Sequence, residues 1–163
     1  MLNRVRYINK IKNNQEIKNS VFSLLSYRAR SKSELLLRLR KKYRLNDIID
    51  VIKELELKGH INDEEFTETY ASSLIKNKLF SRKAVKHKLR SHHISNEILD
   101  PILDKLYSKN DEKKLIKKII TKKLRFKTKI NKTEIGKLTI YLKRKGFYWN
   151  DIKVALIESN LSF

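Results

Sequence analysis

The residues best placed to do chemistry are cationic. Lys32, Arg38, Arg40, Lys41, Lys42 and Arg44 crowd one short stretch against a single acid, Glu34. Arg82, Lys83, Lys86, Lys88 and Arg90 crowd a second stretch that holds no acid. Lys132, Lys137, Lys143, Arg144 and Lys145 crowd a third against Glu134. Such clusters bind polyanions: ammonium groups act as point charges, and guanidinium groups as planar forks that fit carboxylate or phosphate. Arg30, Arg38, Arg82, Arg90, Arg125 and Arg144 are the stronger candidates, because arginine stands there in a chain that mostly uses lysine. The plain alternative is a solvated face whose lysine stems cover apolar surface.

Other constellations carry less. His87, His92 and His93 lie close together, but no second ligand set has a recognisable spacing, so they read as surface or turn residues. Asp63, Glu64 and Glu65 resemble a carboxylate site, yet helix initiation accounts for them. Phe147, Tyr148 and Trp149 precede the last helix; Phe147 reads as core and the other two as cover for a joint, with base stacking by Trp149 the lesser reading. No phosphate-cradling glycine loop or nucleophile motif occurs, so we expect no enzyme and no cofactor. The absence of cysteine excludes disulfides, thiol catalysis and cysteine metal sites, and suits the reducing cytoplasm where we place the chain.

The 163 residues carry a net charge of +21 and a pI near 10.1, a balance that predicts a polyanionic partner or an acidic protein surface. Lysine enrichment throughout would raise that total without any function, so the distribution of charge carries the argument. No apolar run approaches a membrane span, and the basic start MLNRVRYINKIKNNQ lacks the apolar core of a secretory signal. The segment DEKKLIKKIITKKLRFKTKINK is the most basic. It holds Lys122, Lys123, Arg125, Lys127 and Lys129 beside an apolar stripe of Leu115 and Ile119. It reads as a clamp on an acidic surface or DNA, or as an ordinary amphipathic helix. A membrane-surface helix is disfavoured, since no lipid-anchor or aromatic wedge pattern accompanies it.

These residues must be positioned by helices. One proline and three glycines leave long helices uninterrupted, and the apolar spacing is helical almost throughout. Ile17, Val21, Leu24 and Leu25 start the pattern. Leu35 and Leu39, then Ile48, Val51, Ile52 and Leu55 continue it. Phe66, Tyr70 and Leu74, then Ile98, Ile102 and Leu106 follow; Ile116, Ile119, Ile120, Leu138, Leu142, Ile152, Ala155 and Leu156 complete it. Ser31 and Glu34 form a capping box. Ser81, Ser95, Asn46 or Asp47, and Asn150 or Asp151 are further candidate caps. Pro101 falls at the sixth position of a helix capped by Ser95, where it should kink it.

The signals repeat. Leu39 to Ile48 spans the same interval as Leu89 to Ile98, and Leu142 to Ile152 one residue more. The chain therefore reads as all-α, in three tandem three-helix repeats: a mobile or loosely packed basic arm over 1–16, then repeats over 17–61, 62–108 and 109–163. Gly59 should end one helix in the left-handed conformation, Ile61 should staple the joint, and Asn62 or Asp63 should cap the next helix before Phe66 enters the core. The basic stretches fall on the second helix of each repeat and most acids on the third, so stacked repeats would align a positive track.

At this junction the sequence resembles the RecX family, bacterial regulators of the recombinase RecA. The family's G-[YF]-[IL]-[DN]-D-x-x-[FY] stretch stands as Gly59-His60-Ile61-Asn62-Asp63-Glu64-Glu65-Phe66. Its R-x-R-S-x-x-E-L segment stands as Arg28-Ala29-Arg30-Ser31-Lys32-Ser33-Glu34-Leu35. Its ending is similar to Tyr141-Leu142-Lys143-Arg144-Lys145-Gly146-Phe147 with Ile152. The family's Lys-Gly turns are missing from the first two repeats, which have Lys42-Tyr43 and Ser91-His92-His93 instead. The resemblance implies an elongated, curved array that lodges in the groove of the RecA–DNA filament. There it suppresses ATP hydrolysis, strand exchange and co-protease activity, and so restrains recombination and the SOS response. It implies RecA as partner, DNA as secondary partner, and no membrane; we expect a monomer. The alternative is a non-specific basic DNA-binding helical protein. The expected contact set is Arg30, Lys32, Arg38, Lys41, Lys42, Arg82, Lys83, Lys86, Arg90, Lys122, Lys123, Arg125, Lys143, Arg144 and Lys145.

Overall fold

The computed structural model describes residues 2–109, 112–126 and 130–161, and among these it contains nine helices and no strand. Unit one holds α1 (Leu2–Tyr27), α2 (Lys32–Leu39) and α3 (Leu45–Leu57). Unit two holds α4 (Asp63–Lys76), α5 (Arg82–Arg90) and α6 (Asn96–Lys109). Unit three holds α7 (Glu112–Leu124), α8 (Lys132–Arg144) and α9 (Trp149–Glu158). In each unit the first helix packs on the third and the second helix touches both. Unit one has its own apolar core around Ile17, Val21, Leu35, Ile48 and Ile52, while units two and three share one continuous core.

Local chemistry explains the starts. The Ser31 hydroxyl accepts the Glu34 N–H at 3.2 Å, and the Glu34 carboxylate takes the Ser31 N–H in return, completing the capping box. Ser81 caps α5 through the Ala84 N–H, also at 3.2 Å. Asn62, not Asp63, caps α4, accepting from Glu64 and Glu65. The helix after Ser95 begins at Asn96, with Pro101 at its sixth position. Gly59 has φ +75° and closes α3 with paired bonds, Gly59 N–H to Glu56 O and His60 N–H to Leu55 O, both 2.9 Å.

Several expectations change. The stretch 1–16 is not set apart from unit one: α1 runs unbroken from Leu2, and Lys10 and Asn13 reach α3 at Asp50 (3.2 Å) and Asp47 (2.8 Å). No glycine or proline interrupts it, and a helix anchored by Ile17 and Val21 propagates easily into the residues before them. Neither Asn46 nor Asp47 caps α3, and neither Asn150 nor Asp151 caps α9. Those helices start at Leu45 and Trp149 without a side-chain cap. The buried stripe of α6 is Leu99 and Leu103, with Ile98, Ile102 and Leu106 at its margin; a four-residue spacing describes two neighbouring stripes equally well.

The units are joined at corresponding places twice, by different donors. The α5–α6 turn of unit two presses on the start of α2: the Ser31 hydroxyl donates to the His92 carbonyl at 2.8 Å. The α8–α9 turn of unit three presses on the start of α5: the Ser81 N–H donates to the Lys145 carbonyl at 3.0 Å. His93 (φ +56°) and Gly146 (φ +90°) make the corresponding tight turns, so His93 takes up the conformation that the missing glycine would have supplied. Each joint also pairs the first N–H of the second helix with an acid opening the next unit. Lys32 N–H donates to Asp63 and Arg82 N–H to Glu112, both at 2.8 Å.

Burial in the joint raises the Asp63 carboxyl above its ordinary 3.8, against the Lys32 N–H and charge that lower it. A raised folded value means that ionised Asp63 detracts from stability at neutral pH, and that this penalty fades as pH falls through the folded value. Asp63→Asn keeps an oxygen for Lys32 and removes the buried charge. It should match or slightly exceed the parent in urea unfolding at neutral pH, whereas Asp63→Ala should lose about 1–2 kcal/mol by orphaning the N–H. Equal losses in the two variants would show that the bond contributes nothing.

Candidate functional site

The third helices do not form a separate acidic face. Several of their carboxylates turn back onto the second helix of the same unit: Lys32 pairs with Glu56 at 2.6 Å, Arg82 with Asp104 and Lys86 with Asp100. Both signs project from neighbouring elements, and close approach neutralises them locally. The expected track is therefore interrupted at the N-terminal ends of α2 and α5.

Two more expected contact residues are tied within the fold, Arg30 by burial and Lys145 by surface contacts. Arg30 is only 7% exposed; its Nε donates to the Leu24 carbonyl at 3.1 Å, and its Nη1 is buried without a hydrogen-bond partner. Desolvation lowers its pKa. It pins the α1–α2 connection and cannot meet a partner as placed. Lys145 donates to the Lys78 carbonyl at 2.7 Å and lies over the Phe80 ring at 4.2 Å, tying α8 to the end of α4. Arg90 donates to the Asn96 side chain at 3.3 Å.

The remaining candidates stay on the surface without a carboxylate partner among the described residues: Arg38, Lys41, Lys42, Lys83, Lys122, Lys123, Arg125, Lys143 and Arg144. They form three groups. Arg38, Lys41 and Lys42 border a shallow groove of about 550 Å³ whose floor includes Asn19, Ser20, Ser23 and Tyr43. The Ser20 and Tyr43 hydroxyls are 2.9 Å apart there. Arg38 lies in the last turn of α2 and Lys41 and Lys42 just beyond it, where the helix dipole favours positive charge. Lys122, Lys123 and Arg125 end α7. Lys123 lies over the Tyr141 ring at 4.3 Å beside a second groove, of about 410 Å³. Lys83 lies by the exposed Tyr148 ring and Lys143 by the exposed Trp149 ring, and Arg144 is exposed next to Lys143 in the chain. Lys127 and Lys129 lie outside the described residues.

The structure groups the free cations at three places, one of them shared by units two and three, and ties Lys32, Arg82 and Lys86 to carboxylates. What sequence reasoning missed was the joint. Its trace was present: Ser31-Lys32 and Ser81-Arg82 recur fifty apart, with Asp63 and Glu112 opening the following units. Among the described residues no group of three or more His, Cys, Asp or Glu is arranged to hold a metal, and no helix is long and apolar enough to cross a membrane.

Comparison with known proteins gives one family match, to the RecX second three-helix domain over residues 62–101. The crystal structure of regulatory protein RecX superposes with a TM-score of 0.76 at 18% identity, covering 95% of this chain and 77% of that one. The crystal structure of RecX from Lactobacillus salivarius superposes with a TM-score of 0.76 at 22% identity, covering 91% and 97%. At these identities the two superpositions establish the fold. No curated protein matches the chain in sequence.

Proposed function

We propose, from the premise that this is a RecX-family chain, that it is a RecX-type regulator which binds the RecA–DNA filament and restrains its ATP hydrolysis, strand exchange and co-protease activity. The observation that carries the finer reading is the set of exposed cations, in all three units, left without carboxylate partners among the described residues. A filament of acidic protein surface and phosphate offers a matching charge along its length. The bonded joints between units support the reading that the groups act together rather than singly.

The test is DNA-dependent ATP hydrolysis by RecA on single-stranded DNA at near-physiological salt, with this chain well below the RecA concentration. A basic protein of equal charge serves as control. Inhibition at that low ratio is expected here and not with the control. Replacing Arg38, Lys41 and Lys42 together by glutamate should raise the amount needed by about tenfold or more, equivalent to ~1.4 kcal/mol. Arg30→Met should leave the inhibition as it is, because the buried guanidinium has no access to a partner. Inhibition appearing only when the chain is abundant enough to coat the DNA would refute the filament reading and favour simple phosphate binding.

A further inference from the structure

Two large aromatic residues stand side by side at the edge of the core, each beside a lysine. Phe147 fills the joint and is 5% exposed, yet Tyr148 and Trp149 beside it are 58% and 42% exposed. Both rings therefore offer part of their surface to solvent at this place. Tyr148 occupies the cap position of α9 but gives no side-chain cap bond, so helix initiation does not explain it. Each ring is accompanied by a lysine. Lys83 Nζ of α5 lies 5.1 Å from the Tyr148 ring centre, and Lys143 Nζ of α8 lies 5.0 Å from that of Trp149. Neither lysine has a carboxylate partner among the described residues, and Arg144 is exposed beside them.

The platform is held firmly. The turn that carries it is bonded to unit two through the Ser81 N–H and the Lys145 carbonyl, and Gly146 packs so closely that a Cβ there would meet Ser81 Oγ at 2.5 Å. Adjacent aromatic faces among unpaired lysines match one ligand chemistry: unstacked bases on a phosphate chain. The rings take the bases and the ammonium groups the phosphates. A duplex hides its base faces, and a polyglutamate chain has no planar faces to stack on the rings.

We propose that Tyr148, Trp149, Lys83 and Lys143 form a subsite for single-stranded nucleic acid at the joint of units two and three. It rests on the DNA-contact part of the function proposed above, but its test contains no RecA, so either can fail alone.

Trp149 is the only tryptophan of the chain, so its emission reports on this place directly. The probes are a short oligothymidylate, a duplex of equal length, inorganic polyphosphate and poly-glutamate. Oligothymidylate should quench the emission saturably, while polyphosphate should bind without quenching. By fluorescence anisotropy of labelled oligothymidylate, Trp149→Ala and Tyr148→Ala should each weaken binding roughly tenfold, with polyphosphate affinity unchanged. Trp149→Phe should retain most of the affinity, and matched thermal unfolding of the variants shows that they are folded. Lys83→Gln or Lys143→Gln should flatten the slope of log affinity on log salt by about 0.7 each. Identical emission changes with polyphosphate and oligothymidylate, or alanine variants that bind the strand like the parent, would overturn the proposal. Poly-glutamate binding with the same dependence on Trp149 would also overturn it, by assigning the site to a protein partner.

Discussion

Gly146→Ala is expected to lower the free energy of unfolding by about 2–4 kcal/mol, the sum of backbone strain and overpacking. The backbone there has φ +90°, which an L side chain resists. The added Cβ would stand 2.5 Å from Ser81 Oγ, 2.7 Å from Ala84 Cβ and 3.2 Å from Ala84 N. The serine hydroxyl cannot move away cheaply, because it caps α5 through that same Ala84 N–H. The loss should therefore open the joint between units two and three, which share one core. Gly59→Ala is the internal control. Its φ is +75°, but nothing lies within 4 Å of its added Cβ, so only strain of about 1 kcal/mol is expected. Urea unfolding of both variants checks this; equal losses would mean that the joint does not press on Gly146.

The second large effect belongs to Glu34. Its carboxylate accepts from both terminal nitrogens of Arg28, at 3.1 and 2.8 Å, and closes the capping box of α2. His92 Nδ1 of unit two stands 3.3 Å away, at ion-pair distance though not aligned as a hydrogen bond. Its side chain is 17% exposed, so water screens it little. Glu34→Ala removes all of these and strands Arg28, a loss of about 2–3 kcal/mol. Burial pushes this carboxyl upward, but the Arg28 bonds, the charges of Arg28 and His92, and the Ser31 N–H outweigh it and hold it below the ordinary 4.5. A depressed folded value gives stability that is complete above about pH 4.5 and disappears as pH falls through the folded value. Asp63, with its raised value, has the opposite sign. Stability measured from neutral to acid pH should fall less steeply in Glu34→Gln than in the parent. An unchanged acid limb would show that the folded carboxyl titrates as it does in the unfolded chain.

Periodicity and caps made most of the architecture legible in the sequence. Apolar positions three and four apart mark helices because a helix turns every 3.6 residues, whatever surrounds it. Ser31-x-x-Glu34 and Gly59 act within one turn of chain, so their roles could be read directly. The cationic stretches were legible for the same reason: charge type is a property of the residue itself. Which of those cations remain available was decided by the tertiary structure. Arg30 is adjacent in sequence to a capping box and reads as surface, yet the packing of α1 against α2 buries it. Lys32, Arg82 and Lys86 read like Arg38 and Lys83, but acids some 14 to 24 residues away come within bonding distance and neutralise them. The joints, the pairing of Asp63 with α2, and the gathering of Lys83 and Lys143 around Tyr148 and Trp149 likewise depend on residues from different units meeting in space. A sequence sets local geometry and charge through interactions of a few residues; distance between remote side chains arises only when the helices dock, and it is distance that sets the strength of every one of these contacts.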